Sequence, residues 1–372
     1  MEGLVTGVGT WNGRAAFVTG HTGFKGSWLS LWLQKLGAQV HGFALDPPTD
    51  PSIYEIAEVA GGMTSDTRCD IADLGALTAA MADARPSVVF HLAAQPLVRE
   101  SYRDALGTFR TNTLGTAHVL EAVRRVDSVA AVVVVTTDKV YRNNPVPHPY
   151  SESDHLGGAD PYSASKAAAE IVTASYRASY FGLSGHPAGI ATARAGNVIG
   201  GGDWGHERLV PDCLRAADAG TTLILRFPEA VRPWQHVLEP VSGYLRLAEA
   251  LLGAGKERFA NSWNFGPNET DDATVGDVGR RLMALAGNDA GIEVPPRDDA
   301  FHETPTLRLD SSRARAELGW SPRWPLQLAL ERTIDWHSAW RRGEGMRAVT
   351  LGQIELYDGG AQSEPAIRAE AF

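Results

Sequence analysis

The sequence predicts a two-lobed α/β protein: a parallel β-sheet covered by helices on both faces, with a smaller, loop-rich second lobe. In the first half, short apolar strands alternate with helices, and repeated β–α units form parallel sheets with right-handed crossovers. After Gly196, glycine, proline and tryptophan become frequent and the segments shorten. The length of 372 residues also favours two units, because single cores stop growing at about 250–300 residues.

Each element of the alternating half has its own pattern. Ala130–Thr136 is so uniformly apolar that we expect a central strand, buried on both faces. The predicted strands are Ala15–Thr19, Val40–Leu45, Val88–Leu92, Ala130–Thr136 and Gly189–Arg194. The predicted helices, with apolar residues at helical spacing, are Ser27–Leu36, Ala72–Ala82, Thr108–Arg125, Ala164–Tyr180 and Val237–Leu252.

The change in residue composition and segment length after Gly196 also predicts the domain boundaries. We expect the first lobe to comprise residues 1–195, with residues 237–263 returning to it. The second lobe would comprise residues 196–236 and 264–372 and close over the carboxyl edge of the sheet. The tail after Gly359 is expected to fray.

Composition excludes several classes of partner. With 34 basic and 44 acidic residues the net charge is −10, which argues against binding to nucleic acid or to an anionic membrane. No run approaches 18 apolar residues, so no membrane span is expected. Cys69 and Cys213 are too few for a disulfide framework, which indicates a reducing cytoplasm.

A glycine-rich turn joins the first strand to the first helix. Residues 19–26 read TGHTGFKG, and such a turn brings backbone N–H groups and a helix N-terminus up to a diphosphate. This context favours a dinucleotide cofactor over a plain tight turn. The residues concerned are Gly20, Gly23, Phe24, Lys25 and Gly26. Lys25 either meets an anion there or is a solvated surface charge.

Carboxylates after the next strands refine the cofactor prediction. Asp46 ends the second predicted strand, where a carboxylate accepts ribose hydroxyls and repels a 2′-phosphate, so we expect NAD rather than NADP. Asp70 either accepts from the adenine amino group or caps the following helix. The remaining expected cofactor contacts are Ile71, Leu92, Ala93, Ala94 and Thr111.

A tyrosine and a lysine stand one helical turn apart after the predicted strand Ala130–Thr136, which leads into TTDKVY at residues 136–141. Tyr162 and Lys166 lie on one helix face. We expect the ammonium to lower the pKa of the phenol, so that tyrosinate can take a proton from a sugar hydroxyl, which Thr137 would also contact. The alternative is an ordinary surface pair on an amphipathic helix.

These blocks resemble, in order and spacing, the nucleotide-sugar branch of the extended short-chain dehydrogenase/reductase family. They are TGHTGFKG at residues 19–26, HLAAQ at 91–95, TTDKVY at 136–141 and PYSASK at 161–166. The resemblance implies a Rossmann-type doubly wound sheet that binds NAD and a smaller lobe that binds a nucleotide sugar. It covers roughly residues 12–357.

Later blocks resemble more narrowly the members of this branch that dehydrate CDP-glucose. Examples are ARAGNVIGGGDW at residues 193–204 and RPWQHVLEPVSGYL at 232–245. Related dehydratases of dTDP- and GDP-sugars carry an Asp-Glu pair after the threonine, whereas this chain has Asp138-Lys139. The resemblance therefore implies an NAD-dependent lyase of deoxysugar biosynthesis with CDP-glucose as substrate.

The same resemblance assigns the catalytic roles. The implied catalytic residues are Thr137, Asp138, Lys139, Tyr162 and Lys166. Tyr162 would remove the proton of the 4-hydroxyl while C4 is oxidised, Lys139 would take the C5 proton, and Asp138 would protonate the departing C6 hydroxyl. Hydride return to C6 would then complete a 4-keto-6-deoxy sugar. Alternatively, Lys139 forms a salt bridge with Asp138 that holds the strand end.

An acidic protein needs local cations to hold a nucleoside diphosphate. Arg208 and Arg232 are the candidates, and Asn197 could donate an amide to the diphosphate. Gln95 either contacts the sugar or packs its own loop.

Several other polar and aromatic residues have structural explanations. We expect Trp204 and Trp234 to fill core space and His236 to be a structural histidine, whereas no role is assigned to Glu303. The histidines and cysteines show no metal-ligand spacing, so no metal is expected.

Two alternatives stay open for the function. One is another dehydratase or an epimerase on the same scaffold, acting on a UDP-, dTDP- or GDP-sugar. The other is a non-catalytic dinucleotide-sensing protein, which would not need Tyr162, Lys166 and the Asp138-Lys139 pair together. In this family the two long helices of the first lobe pair across a dimer, so a homodimer or homotetramer is expected.

Overall fold

The computed structural model describes residues 9–143, 148–182, 185–296 and 305–359. The strands are β1 (Ala15–Thr19), β2 (Gln39–Ala44), β3 (Ser65–Arg68), β4 (Val88–His91), β5 (Ala131–Val135), β6 (Gly189–Ala195), β7 (Val198–Ile199), β8 (Leu223–Ile224), β9 (Val231–Arg232), β10 (Gln235–His236), β11 (Ser262–Phe265), β12 (Ala273–Thr274) and β13 (Ile292–Glu293). The helices are α1 (Phe24–Lys35), α2 (Ile53–Ile56), α3 (Leu74–Ala84), α4 (Val98–Arg103), α5 (Ala105–Phe109), α6 (Gly115–Arg124), α7 (Pro161–Tyr180), α8 (Leu209–Ala219), α9 (Leu238–Leu252), α10 (Val275–Leu285), α11 (Ser312–Leu318), α12 (Leu326–Arg341) and α13 (Met346–Asp358).

A seven-stranded parallel sheet organises the first lobe, with strand order β11-β6-β5-β4-β1-β2-β3. All residues of β4, β5 and β6 are buried, because helices cover both faces of the sheet. This confirms the predicted fold class. The chain changes direction across the sheet between β1 and β4, and ligands of such sheets bind at the carboxyl ends of the strands beside that point.

The second lobe is built from helices and three short two-stranded sheets: β7 with β10, β8 with β13, and β9 with β12. Helices α8, α10 and α12 pack around an apolar core of their own. Its buried members include Val210, Leu214, Leu282, Met283 and Leu330.

Segments after residue 237 return to the first lobe. Strand β11 extends the main sheet by pairing with β6, and helix α9 packs into the same apolar core. The last helix, α13, packs on α1, where the rings of Tyr357 and Trp32 meet edge to face at 5.7 Å. The division into two domains at the predicted boundaries stays a prediction.

One predicted helix is interrupted. Thr108–Arg125 was expected to be continuous, but a π-helical turn, Arg110–Leu114, separates α5 from α6. The Asn112 side chain in this turn donates to the Gln95 carbonyl at 3.0 Å and to Ser165 Oγ at 2.9 Å. Polar side chains that bind neighbouring elements in this way interrupt the regular hydrogen-bond ladder.

Two further expectations concern the limits of the chain. Glu303 and the tail after Gly359 both lie outside the described residues. None of the helices in the described ranges is long and apolar enough to cross a membrane.

Candidate active site

A cavity of about 380 Å³ lies at the carboxyl edge of the sheet and is lined from both lobes. It brings together nine residues that the sequence singled out for catalysis or binding. They are Phe24, Lys25, Thr137, Asp138, Lys139, Tyr162, Asn197, Arg208 and Arg232. Residues separated by up to two hundred positions in the chain therefore share one site.

The end of strand β5 presents a hydroxyl, an acid and a base in succession. Thr137 caps a short 3₁₀ turn, Asp138–Val140, and its hydroxyl donates to Asp138 Oδ1 at 3.0 Å. Burial raises the pKa of the Asp138 carboxyl, although the charges of Lys139, Arg232 and Lys25 oppose this. The hydrogen-bond partner of Asp138 is thus Thr137, and Lys139 faces the cavity.

Helix α7 holds Tyr162 at the cavity wall. Asp160 caps the helix by accepting from the backbone N–H of Ser163 at 2.9 Å, and Pro161 occupies the first helical position, which favours helix initiation. Burial raises the pKa of the Tyr162 phenol to about 12, and the neighbouring Thr137 side chain opposes this shift. This contradicts the expectation that Lys166 lowers the pKa of the phenol.

Lys166 lies one turn further along α7 and is only 6% exposed. Its ammonium donates to the Val135 carbonyl at 3.1 Å. Burial, reinforced by the charge of Lys25, lowers the pKa of Lys166 to about 7, while Glu170 opposes the shift. Its proton is therefore held far more weakly than that of an ordinary lysine.

A buried ionic network that the sequence reasoning missed lies behind β5. The Glu170 carboxylate accepts two N–H bonds from Arg194, at 3.0 and 2.9 Å, and a hydroxyl bond from Thr192 at 2.7 Å. It also accepts from Thr136, the residue that precedes Thr137. The available signal was a glutamate four residues after Lys166, on the buried face of the helix.

Lys25 stands in the first turn of α1 and faces the cavity rather than open solvent. Burial lowers its pKa to about 8, and nearby Arg208 lowers it further, while Asp138 and Asp203 oppose the shift. The alternative of a solvated surface charge is therefore wrong. The side chain lies close enough to Asp138 and Asp203 for their charges to act on it.

The cations of the second lobe are fixed in direction. Arg208 Nη1 donates to both carboxylate oxygens of Asp203, at 3.1 and 3.0 Å, and Arg232 is 3% exposed and donates to the Val231 carbonyl at 2.8 Å. Asp203 was not predicted, although it lies in the GGGDWG segment only five residues before Arg208.

The three glycines of the turn differ in their surroundings. A Cβ on Gly20 (φ +75°) would lie 2.6 Å from the Ala93 backbone nitrogen, and one on Gly26 would collide with the Gly20 carbonyl oxygen. At Gly23 the nearest atom would be 3.5 Å away, so the fold itself does not require glycine there. In the described part of the chain, no side chain caps α1, and the first turn of this helix has no acidic residue. These features fit a dinucleotide diphosphate, which needs free N–H groups and close approach.

The chain matches a known family over most of its length. Residues 17–333 match the family model described as GDP-mannose 4,6 dehydratase. The chain belongs to this dehydratase family. Among curated relatives, a CDP-glucose 4,6-dehydratase of Salmonella typhimurium is 47% identical over 350 residues, which cover 93% of this chain and 97% of that protein.

Solved structures support the same assignment of the fold. A dTDP-glucose 4,6-dehydratase of Bacillus anthracis in complex with NAD superposes with a TM-score of 0.73 at 22% identity, covering 90% of this chain and 99% of that one. A UDP-glucose 4-epimerase of Thermus thermophilus in complex with NAD gives a TM-score of 0.74 at 25% identity, covering 87% and 98% respectively.

Within the dehydratase fold, the remaining predicted cofactor residues lie outside the cavity lining. The Asp46 side chain is 89% exposed and lies 3.8 Å from Arg68. Asp70 accepts from the backbone N–H of Ala72 at 2.9 Å, whereas the cap of α3 is Asp73, so the capping alternative for Asp70 is wrong. Ile71, Leu92, Ala93, Ala94 and Thr111 are buried or half-buried on the loops after β3 and β4 and on the π turn.

Gln95 and His236 have structural partners. The Gln95 amide donates to Thr108 Oγ1 at 2.8 Å and accepts from the Leu97 N–H, which is the loop-packing alternative. His236 is fully buried between the rings of Trp28 and Trp324. Burial lowers its pKa to about 3, so the imidazole stays neutral, as a structural histidine does.

The two tryptophans differ from each other. Trp204 packs edge to face against Trp336 and Trp340. Trp234 is 4% exposed, donates to the Ala273 carbonyl at 3.0 Å and also forms part of the cavity wall. It therefore serves the core and the site together.

Proposed function

We propose that the protein is an NAD-dependent lyase that converts CDP-glucose to CDP-4-dehydro-6-deoxyglucose and water. The observation that carries the proposal is the juxtaposition of Thr137, Asp138, Lys139 and Tyr162 in one cavity. A hydroxyl, an acid, a base and a phenol are the groups that oxidation at C4 followed by elimination across C5 and C6 needs. The 47% identity to a CDP-glucose 4,6-dehydratase supports the choice of substrate.

The glycine turn and the carboxylate after β2 are the proposed cofactor site. Gly20, Gly23 and Gly26 would let the dinucleotide diphosphate approach the N-terminus of α1, and Asp46 would accept the adenosine ribose hydroxyls. When bound, NAD would supply the oxidant for C4 and the hydride that reduces C6.

Tyr162 and Thr137 are proposed to act on the 4-hydroxyl. The phenol oxygen takes the hydroxyl proton as C4 is oxidised, and Thr137, whose side chain interacts with the phenol, orients both groups. Lys166, held by the Val135 carbonyl, contributes positive charge on the same helix face when protonated.

Lys139 and Asp138 are proposed to carry out the elimination. A ketone at C4 acidifies the C5–H bond, so a neutral amine at Lys139 can remove that proton. Asp138, whose pKa is raised by burial, protonates the departing C6 hydroxyl. The two side chains follow each other on one 3₁₀ turn, which suits adjacent carbons of one sugar.

The nucleotide diphosphate is proposed to bind the basic wall of the second lobe. Arg208 and Arg232 are directed by their partners and can form charge-assisted hydrogen bonds to phosphate oxygens. Asn197 lines the same wall and can donate its amide.

A substrate panel tests the proposal. Purified protein with NAD is incubated separately with CDP-glucose, UDP-glucose, dTDP-glucose and GDP-mannose, and the 4-keto product is followed by its alkaline absorbance. We expect the wild type to give this signal with CDP-glucose. The Tyr162→Phe variant should bind NAD but give no product. Product only from another nucleotide sugar would refute the substrate, and a hexose epimer without a 4-keto product would indicate the epimerase alternative.

We also infer a homodimer or homotetramer that is built on the first lobe. Large apolar side chains are exposed on α5, the π turn and α7, including Leu106 (85%), Leu114 (50%) and Ile171 (60%). A Leu106→Glu variant should reduce the mass measured by light scattering to that of a monomer, whereas Leu356→Glu, on α13, should not.

A cytoplasmic location is proposed because Cys69 and Cys213 are both free thiols, as is usual in a reducing compartment.

A further inference from the structure

The proposed reaction requires a proton to move between two protein groups in every turnover. Oxidation at C4 releases the proton of the 4-hydroxyl, and expulsion of the C6 hydroxyl as water consumes one proton at O6. The proton that Lys139 takes from C5 is replaced at C5 when C6 is reduced, so it does not alter this balance. A net transfer of one proton from Tyr162 to Asp138, directly or through solvent, is therefore required.

We propose that Thr137 carries this proton, so that the proton released from O4 is the one that leaves with O6 as water. The inference rests on the proposed function and goes beyond it, because it gives Thr137 a role in proton transfer besides orienting the sugar. It also makes the reaction independent of proton exchange with solvent at these two oxygens.

The three side chains lie next to one another on the cavity wall. The Thr137 side chain interacts with the Tyr162 hydroxyl, and its hydroxyl donates to Asp138 Oδ1 at 3.0 Å. Tyr162, Thr137 and Asp138 are 9%, 7% and 2% exposed, so bulk water has little access to them. Among the described residues, the other carboxylate oxygen of Asp138 is buried without a hydrogen-bond partner, which leaves it available to the C6 hydroxyl.

The surrounding charges suit a relay from Tyr162. Burial raises the pKa of this phenol to about 12, so the phenol is protonated at neutral pH and can accept a proton only while it gives up its own. Arg208, Asp138 and Asp160 face it, and Lys166 lies one turn away on the same helix.

At the receiving end of the relay, burial raises the pKa of the Asp138 carboxyl. A carboxylate with a raised pKa is a better proton acceptor than an ordinary one. Lys139, Arg232 and Lys25 face this group, and the positive charges of Arg232 and Lys25 stabilise its ionised form until the proton arrives.

The transfer balances without any further reactant. The O4–H bond breaks as the phenol oxygen takes that proton, and the phenol O–H bond breaks as Thr137 Oγ1 takes the next. The original Thr137 O–H bond then breaks as Asp138 Oδ1 gains a proton. Tyr162 and Thr137 end neutral, as they began. The carboxyl group of Asp138 then turns to bring the proton on Oδ1 to the substrate, and Asp138 protonates O6.

Substitution of Thr137 tests the relay in the holoenzyme with CDP-glucose. In Thr137→Val, no hydroxyl can accept the proton of the Tyr162 phenol. We therefore expect the rate of C4 oxidation at pH 7 to fall about 100-fold. This rate is followed by stopped-flow absorbance of the reduced nicotinamide. The rate should then rise about tenfold per pH unit, because ionised Tyr162 is needed, and imidazole should partly restore it. Thr137→Ser keeps a hydroxyl and should keep the pH profile of the wild type.

Other results would overturn the relay. If Thr137→Val lowers the rate of C4 oxidation by the same factor at every pH and imidazole has no effect, Thr137 only orients the substrate. If that variant does not fold, as judged by circular dichroism, the wild-type rate in mixtures of H₂O and D₂O decides: a curved dependence indicates several protons in flight and supports the relay, and a straight line refutes it. Absence of product from CDP-glucose with the wild type would instead refute the proposed function.

Discussion

Loss of Arg194 should destabilise the protein strongly, because it leaves a buried carboxylate without its counter-charge. Arg194 and Glu170 are 2% and 3% exposed, and two of the guanidinium N–H groups bond the carboxylate at 3.0 and 2.9 Å. Arg194→Met keeps much of the side-chain length but removes these bonds and the one to the Tyr141 hydroxyl at 2.9 Å. The Glu170 carboxylate then keeps only hydroxyl partners.

The expected cost follows from the burial of the pair. Removing one partner of a buried ion pair costs about 3–5 kcal/mol, whereas replacing both partners by neutral groups costs much less. Burial alone would raise the pKa of Glu170, but Arg194 outweighs it and holds this pKa below its ordinary value. The pair therefore contributes stability above the unfolded-state pKa, and this contribution is lost as the pH falls through the folded-state pKa.

Urea denaturation of the apoprotein at pH 7 measures the effect. We expect Arg194→Met to lower the free energy of unfolding by about 3–5 kcal/mol and Glu170→Gln combined with Arg194→Met to recover much of the loss. The matched control is Arg342→Met, which removes an exposed pair with Glu344 at 2.7 Å and should change stability little. If the loss in Arg194→Met is no larger than in the control, or if the double variant recovers nothing, the reasoning is refuted.

Three further changes have distinct expected outcomes. Gly23→Ala should leave the urea midpoint unchanged and weaken NAD binding, measured by fluorescence titration, at least tenfold (roughly 1.4 kcal/mol). Gly26→Ala should weaken NAD binding and also lower the urea midpoint, because its Cβ meets the Gly20 carbonyl. Lys139→Met should still oxidise C4, so that reduced nicotinamide accumulates, while exchange of the C5 hydrogen with D₂O, seen by NMR, should stop. Burial lowers the pKa of Lys166 from 10.5 to about 7, so between these pH values the unfolded chain binds more protons than the folded one. The free energy of unfolding should therefore rise with pH from about 7 to 10.5. Lys166→Met should remove this part of the rise.

The central strands of the sheet could be predicted from the sequence because they are buried on both faces. The predicted Ala15–Thr19 coincides with β1, and Ala130–Thr136 exceeds β5 by one residue at each end. Uniformly apolar runs of this length have few other stable places in a soluble domain. The catalytic segment could be predicted for a related reason, since residues that follow a buried parallel strand lie at the edge where ligands bind.

The partners within the site could not be predicted, because they depend on contacts between distant segments. Glu170 and Arg194 lie on α7 and β6, and a glutamate on a helix is usually solvated, so only the packing of α7 against β6 identifies the pair. The pKa of Tyr162 was misjudged for a similar reason. Spacing shows that Lys166 is nearby, but it does not show that burial raises the pKa of the phenol more than any charge lowers it.

An acidic protein can still bind a nucleotide diphosphate, because charge acts locally in a cavity. The chain carries a net charge of −10, yet the cavity wall has six basic and four acidic side chains. Two of the acids, Asp203 and Glu207, are paired with Arg208 and Arg99 of the same wall, so the wall keeps an excess of positive charge. At physiological ionic strength, exposed charges more than about 8 Å away are largely screened, so the acidic outer surface repels the substrate much less than the wall attracts it. Raising the salt concentration should therefore increase the KM for the nucleotide sugar while leaving the rate of the buried proton transfers nearly unchanged.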